Sequence, residues 1–255
     1  MAAFHDKLIN DIHVHLGWSD GINNFLDPDK LDGFISKNNI DEVALIPFEK
    51  DTTTYNRKII QLSKQNSKIH GFYWIRKDQI SEDLKILEEC IGDGLIGVKF
   101  HGTYENLPVS DESYLPVMQL LDEKQAILLV HCGRYKDGYA ESNTSFLHGL
   151  QVAKTFPKIK VVLAHMGGND TSITKRAVTA AVENSNVYFD TSGTSTPYRI
   201  EHAVSVLGTE RILFGSDFPW CSFKAMYYNV NDSLLDENTK HAILHENFVK
   251  LLRSA

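Results

Sequence analysis

Short apolar runs punctuate this chain. Between them lie longer stretches in which apolar residues return every three or four positions. The runs are Leu8 to Leu16, Val43 to Ile46 (closed by Pro47), Ile69 to Ile75, Leu95 to His101, Ala126 to Gly133, Val161 to His165, Val187 to Asp190, and Ile212 to Asp217. Runs of this length, rich in β-branched and aromatic residues and bounded by Gly, Pro, Asn or Asp, predict strands. Helical spacing marks most of the intervals. Asp27-Pro28 reads as an N-cap with Pro in the first turn, opening a helix with Leu31, Phe34 and Ile35 that ends at Asn38-Asn39. Further helices carry Ile59, Ile60 and Leu62; span 80–91, stopped by Gly92-Asp93-Gly94; carry Leu115, Met118, Leu120 and Leu121; end at Phe156-Pro157; and span 171–183 and 198–207. The segment 17–27 reads as a loop, as does the stretch up to Asp111. The tail, 237–252, reads as a helix packed outside the strands.

Strands alternating with helices imply parallel pairing and right-handed crossovers. Eight such units in 255 residues, with no linker to divide them, predict a single-domain (β/α)8 TIM barrel over residues 1–255. A doubly wound open sheet is the alternative. It is disfavoured because no Gly-x-Gly-x-x-Gly turn follows the first strand.

The polar residues of these strands cluster at their C-terminal ends: His13 and His15 on the first, Lys99 and His101 on the fourth, His131 on the fifth, His165 on the sixth, Asp217 on the eighth. In a barrel these ends converge on one mouth, where active sites are built. His13 and His15, two apart on a strand, project to one face, with Ile12, Val14 and Leu16 on the other. Imidazoles and a carboxylate suit zinc and similar divalent ions, and a bound ion makes hydroxide available near neutral pH.

His13-Val14-His15, Gly97-Val98-Lys99-Phe100-His101, Val130-His131-Cys132-Gly133, Ala164-His165-Met166-Gly167-Gly168 and Phe214-Gly215-Ser216-Asp217-Phe218-Pro219 resemble the successive strand-end motifs of the amidohydrolase superfamily. The set is closest to the amidohydrolase-related branch that includes aminocarboxymuconate-semialdehyde decarboxylase-like enzymes. Asn247-Phe248 with Leu251-Leu252 is similar to that branch's terminal motif. The resemblance implies His13, His15, His131 and Asp217 as metal ligands, with Asp217 also moving the proton. It implies that His165 polarises substrate, assists proton transfer or binds a second metal. Lys99 is read as a catalytic lysine rather than a carboxylated bridge, so one ion per chain is expected, zinc first and manganese second. The implied activity is hydrolysis of an amide, lactone or ester of a small carboxylate-bearing molecule; the alternative is decarboxylation of an unsaturated or aromatic acid.

Substrate contacts are expected from loops at the strand ends. Arg134 and Arg76 are candidates to clamp a carboxylate, since guanidinium offers a bidentate fork; His101 joins the substrate-binding set. Trp18, Tyr135 and Trp220 could wall a pocket for a flat molecule. Cys132 alternates away from the centre and reads as core. A net charge of −7, without a long Lys/Arg run, argues against nucleic acid as partner. Three scattered cysteines without a Cys-x-x-Cys fit a reducing compartment. No basic segment with an apolar core opens the chain, and no apolar run approaches the roughly 18 residues of a membrane span. A cytoplasmic protein acting on a small molecule is expected, and a homodimer is the expectation the family resemblance adds.

Overall fold

The computed structural model describes residues 7–19, 21–22, 24–133 and 142–253. Its nine strands are β1 (Ile9–Ser19), β2 (Asn24–Leu26), β3 (Ile40–Pro47), β4 (Ile69–Trp74), β5 (Leu95–Phe100), β6 (Ile127–Val130), β7 (Lys160–Leu163), β8 (Val187–Asp190) and β9 (Ile212–Leu213), in the order β2-β1-β3-β4-β5-β6-β7-β8-β9. All neighbours pair in parallel except β1 with β2, a short antiparallel hairpin inside the segment expected as a loop. The helices are α1 (Pro28–Asn38), α2 (Thr52–Gln65), α3 (Ile80–Cys90), α4 (Gly102–Glu105), α5 (Leu115–Glu123), α6 (Phe146–Thr155), α7 (Thr171–Ala180), α8 (Pro197–Leu207), α9 (Phe223–Asn231), α10 (Glu237–His241) and α11 (Asn247–Arg253). This is the expected (β/α)8 barrel. The polar stretch after Pro219 hid α9, and α4 is a single turn within the expected loop. Asp27 caps α1 as read, its carboxylate accepting from Lys30 N.

The barrel closes between β1 and the segment that follows β9. Ile12 N donates to Phe214 O at 3.0 Å, Asp217 N to His13 O at 2.8 Å, and His15 N to Phe218 O at 2.8 Å. Beyond Leu213 the chain is held to β1 by these bonds rather than as a regular strand, and Asp217 turns out of line with φ +56°.

Two apolar clusters build the core. One lies between strands and helices. The other fills the barrel, with Ala44, Ile46, Phe72, Leu129, Val162 and Leu213 among its members. Ile12 belongs to the inner cluster, which corrects the expectation that it faces away from the histidines. The cause is a bulge: β1 advances from Asp11 to Val14 while β3 advances only from Val43 to Leu45. The extra residue breaks the period of two and turns both Ile12 and the histidine side toward the axis.

The C-terminal tail is helical throughout, as expected: α10 runs through a π-helical turn, Ala242–Glu246, directly into α11. Phe248 and Leu251 join the inner cluster, so α11 plugs the barrel floor. Asn247 fixes it there, its Nδ2 donating to Thr209 O and Ile212 O at 2.8 Å each. No helix among the described residues is long and apolar enough to cross a membrane.

Candidate metal centre and active site

His13 and His15 leave β1 toward the mouth, and their rings are oriented from behind. His13 Nδ1 lies 2.8 Å from Asp190 Oδ2, and His15 Nδ1 lies 3.2 Å from Pro47 O. Carboxylate and carbonyl oxygens accept, so both Nδ1 atoms carry protons and both Nε2 atoms keep a lone pair. His15 is further held by stacking on Phe48, with centroids 4.7 Å apart. Asp217 Oδ1 sits 3.4 Å from His13 Nε2 and 3.3 Å from His15 Nε2. These three residues offer ligand atoms within 4.8 Å of one another. An ion with bonds of about 2.0–2.1 Å in tetrahedral geometry spaces its donors about 3.4 Å apart. The Asp217-to-histidine spacings match that value, so the donor set fits a divalent cation.

His131 was expected as a fourth ligand. The structure puts it in the same cavity but outside this trio. Its Nδ1 lies 2.9 Å from His165 Nε2, and its ring stacks on His101 with centroids 3.8 Å apart. His165 itself stands on a turn, not on a strand: β7 ends at Leu163, and His165 and Met166 both adopt left-handed conformations, φ +58° and +55°. The turn is clamped by buried Arg199, whose Nη2 donates to His165 O at 2.7 Å and also to Gly168 O, while its Nε donates to Thr174 Oγ1 at 2.9 Å.

Asp190 was not anticipated, although it ends the seventh predicted strand just as the other site residues end theirs. It is fully buried. Besides His13 Nδ1 it accepts from His165 N at 2.9 Å, from Ser192 N at 3.1 Å and from the Ser192 hydroxyl. Asp11 has a related role one layer down. Its Oδ1 accepts from His13 N and Ser216 N, each at 3.0 Å, tying the two ligand-bearing segments together.

Burial is the largest influence on most of these groups. It pushes Asp11 up to about 7 and His13 down to about 4, with the Lys99 charge adding to the latter. It pulls His101 and His131 far below the ordinary imidazole value, and His165 below it against the opposing charges of Asp217 and Asp190. Lys99, buried in the barrel, is lowered to about 8, the same two carboxylates resisting. For Asp190, burial is outweighed by its contacts with His13, His165 and Ser192, which bring it to about 2. Both values lie below neutrality, so near neutral pH the pair is a carboxylate beside a neutral imidazole. Asp217 is held below the usual carboxylate range against its own burial, first by the His15 ring beside it and then by His13 and His165.

A cavity of about 300 Å³ opens above the trio. His15, Lys99, His101, His131, His165 and Asp217 line its floor, and Trp74, Tyr104, Trp220 and Glu49 its walls. Trp74 lies parallel to His101, at 6° with centroids 5.8 Å apart. Its indole N–H is held by buried Glu105 at 3.1 Å. Trp74 was missed because an aromatic at a strand end reads as core, and Tyr104 because it lies in the segment read as a loop, where α4 forms. Of the expected wall residues, Trp220 lines the cavity. Trp18 is half-buried on β1, paired with Phe25 in β2, and does not line it. Arg76 does not line it either: its Nη1 donates to Thr52 Oγ1 at 3.2 Å, and it lies near Asp78 and Glu105. The Asp78 and Glu105 carboxylates lie 3.6 and 3.9 Å from the guanidinium expected to clamp substrate. Arg134 and Tyr135 fall outside the described residues. Cys132 is fully buried in the outer core, as read.

The sequence matches the amidohydrolase family profile over residues 48–253. No curated protein matches it significantly. Among solved structures, the chain is similar to 2,6-dihydroxybenzoate decarboxylase from Rhizobium (TM-score 0.76, 14 % identity, 97 % of this chain and 98 % of that one). It is similar to a dihydroxybenzoic acid decarboxylase from Polaromonas carrying manganese and the inhibitor 2-nitroresorcinol (TM-score 0.76, 15 % identity, 97 % of each chain). It is also similar to 5-carboxyvanillate decarboxylase from Sphingomonas paucimobilis (TM-score 0.74, 14 % identity, 96 % of this chain and 98 % of that one). At these identities the likeness establishes a shared fold.

Proposed function

The chain belongs to the amidohydrolase family, and from that premise we propose that it is a metal-dependent decarboxylase of a small aromatic or unsaturated carboxylic acid. The observation that carries the reading is the cavity: a trio of donors spaced for one divalent ion, under flat walls made by Trp74, Tyr104 and Trp220. The decarboxylases sharing the fold support this lyase reading over the hydrolytic one favoured by sequence. Manganese, present in the Polaromonas enzyme, becomes the first ion to supply, with zinc second.

His13, His15 and Asp217 would hold a divalent ion, which would supply positive charge to the substrate carboxylate. The remaining work belongs to the chain. Trp74 and Trp220 hold a planar molecule and exclude water from it. In the reaction the bond between the substrate carbon and its carboxylate breaks, the electron pair stays on that carbon, CO2 leaves, and the carbon takes a proton. Lys99, cationic at neutral pH and lowered to about 8, is the described cavity group holding a proton to give, and solvent restores it. Asp217, an anion, and His165, neutral, border the same space and complete the proton path.

The test is CO2 release by the manganese-loaded protein from a panel of hydroxybenzoates, including 2,6-dihydroxybenzoate and 5-carboxyvanillate. One CO2 per acid consumed, abolished in a folded Asp217→Asn variant, is the expected result. Loaded, folded protein that releases no CO2 from the panel yet opens a lactone or amide would overturn the reading.

A further inference from the structure

Four hydrogen bonds end on the single carboxylate of Asp190 and two more reach it through Ser192 and His165, and counting the protons leaves one arrangement. An ionised carboxylate only accepts. The Ser192 hydroxyl has one proton, and its close contact with Asp190 Oδ1 takes it. Ser192 Oγ is then left as an acceptor toward His165 Nδ1, 2.8 Å away, so that nitrogen carries the imidazole proton. His165 Nε2 is consequently bare. It faces His131 Nδ1 at 2.9 Å, and a bond there needs a proton that only His131 can supply. His131 therefore carries its proton on Nδ1 as well, leaving its own Nε2 bare. On the other oxygen, Asp190 Oδ2 takes the Nδ1 proton of His13 directly.

We propose that Ser192 is a positioning residue that transmits the orientation of Asp190 through His165 to His131, so that one buried carboxylate sets the tautomers of three histidines from three separate segments of the chain. The donors all point toward Asp190: His13 straight to it, and His131 to His165 to Ser192 to it. The result is a bare Nε2 on His131, which lines the cavity, and another on His13, beside the cavity residues Lys99 and Asp217. Burial of His13 and His165 inside the barrel favours the neutral imidazole with its single ring proton. Gly193, with φ +61°, allows the tight approach, since a Cβ there would come within 3.1 Å of His165 Nδ1. The inference does not depend on which acid the cavity takes, nor on decarboxylation.

The experiment is a two-bond 1H–15N correlation spectrum of metal-free, histidine-labelled full-length protein near neutral pH. It separates a protonated ring nitrogen from a bare one, and signals are assigned by replacing single histidines. Wild type is expected to show His13, His131 and His165 protonated on Nδ1. In Ser192→Ala, His165 and His131 should lose that pattern while His13, held by Asp190 directly, keeps it. The unchanged His13 signal also reports an intact fold. Ser192→Thr, which retains the hydroxyl, should restore the wild-type pattern. Wild-type protein with either His131 or His165 protonated on Nε2 would overturn the proposal. So would an Ala variant, with its His13 signal intact, whose His131 and His165 tautomers are unchanged.

Discussion

Lys99 Nζ lies 3.2 Å from His13 Nε2, the nitrogen whose lone pair is left bare because Asp190 takes the proton on the other side of the ring. An ammonium thus donates to the atom through which a metal would be held. The two cations compete for one lone pair. Lys99→Met keeps the volume and removes the charge. It is expected to strengthen manganese binding at least tenfold, about 1.4 kcal/mol, by isothermal titration, while decarboxylation falls. Unchanged or weaker binding would show that Lys99 is no competitor.

Asp190→Asn preserves shape but not donor pattern. If its remaining oxygen keeps His165 N and the Ser192 groups, the new amide presents N–H to His13 Nδ1. His13 must then carry its proton on Nε2, which removes it as a ligand. Metal affinity is expected to fall about 10- to 100-fold. Equilibrium dialysis of folded variant against manganese measures this directly.

Arg199 touches no cavity space, yet it holds the carbonyls of His165 and Gly168 from below. Arg199→Met leaves both buried acceptors short of a donor. A loss of about 2–4 kcal/mol is expected from urea denaturation, since each such group costs about 1–3 kcal/mol. Arg199→Lys, with one donor centre on a flexible stem, should recover only part of it. The accompanying loss of turnover should exceed what instability explains, because the left-handed turn presents His165.

In metal-free protein the buried histidines give stability a defined slope. His13, at about 4 in the fold against an ordinary 6.5, binds fewer protons than in the unfolded chain between those values. His101, His131 and His165 are shifted in the same direction. Their contribution is fully present above about 6.5 and is lost as pH falls. Asp190, lowered to about 2, adds to the loss only below its ordinary 3.8. Asp11 works oppositely: raised from 3.8 to about 7, it makes the fold bind more protons in that window and favours the acid side. Chelated protein should therefore melt at lower temperature at pH 5 than at pH 7. Asp11→Asn should make that decline steeper.

The barrel was legible because its signal is repetitive. A run such as Ala126–Val130, apolar at every position, fits a strand covered on both faces, and the histidines and Asp217 interrupt such runs only at their ends. The bulge that turns Ile12 inward was not legible, because a register shift depends on the partner strand. Asp190 and Ser192 were missed for a related reason. An acid or a serine at a strand end has no motif of its own, and its importance comes from His13 and His165 arriving from elsewhere in the chain. Arg76 was misread because the carboxylates near it, Asp78 and Glu105, become its neighbours only after folding.

The join at which the cylinder closes is also where β1 and the segment after β9 supply His13, His15 and Asp217. A cation there would act as a clasp on a hoop, fastening the beginning of the chain to its end. Loading would then tighten the hoop as a whole: the amides of Ile12, His15 and Asp217, whose bonds form the join, should exchange with solvent more slowly, and by the factor by which the ion stabilises the fold. Shape and chemistry in this molecule would share a single fastening.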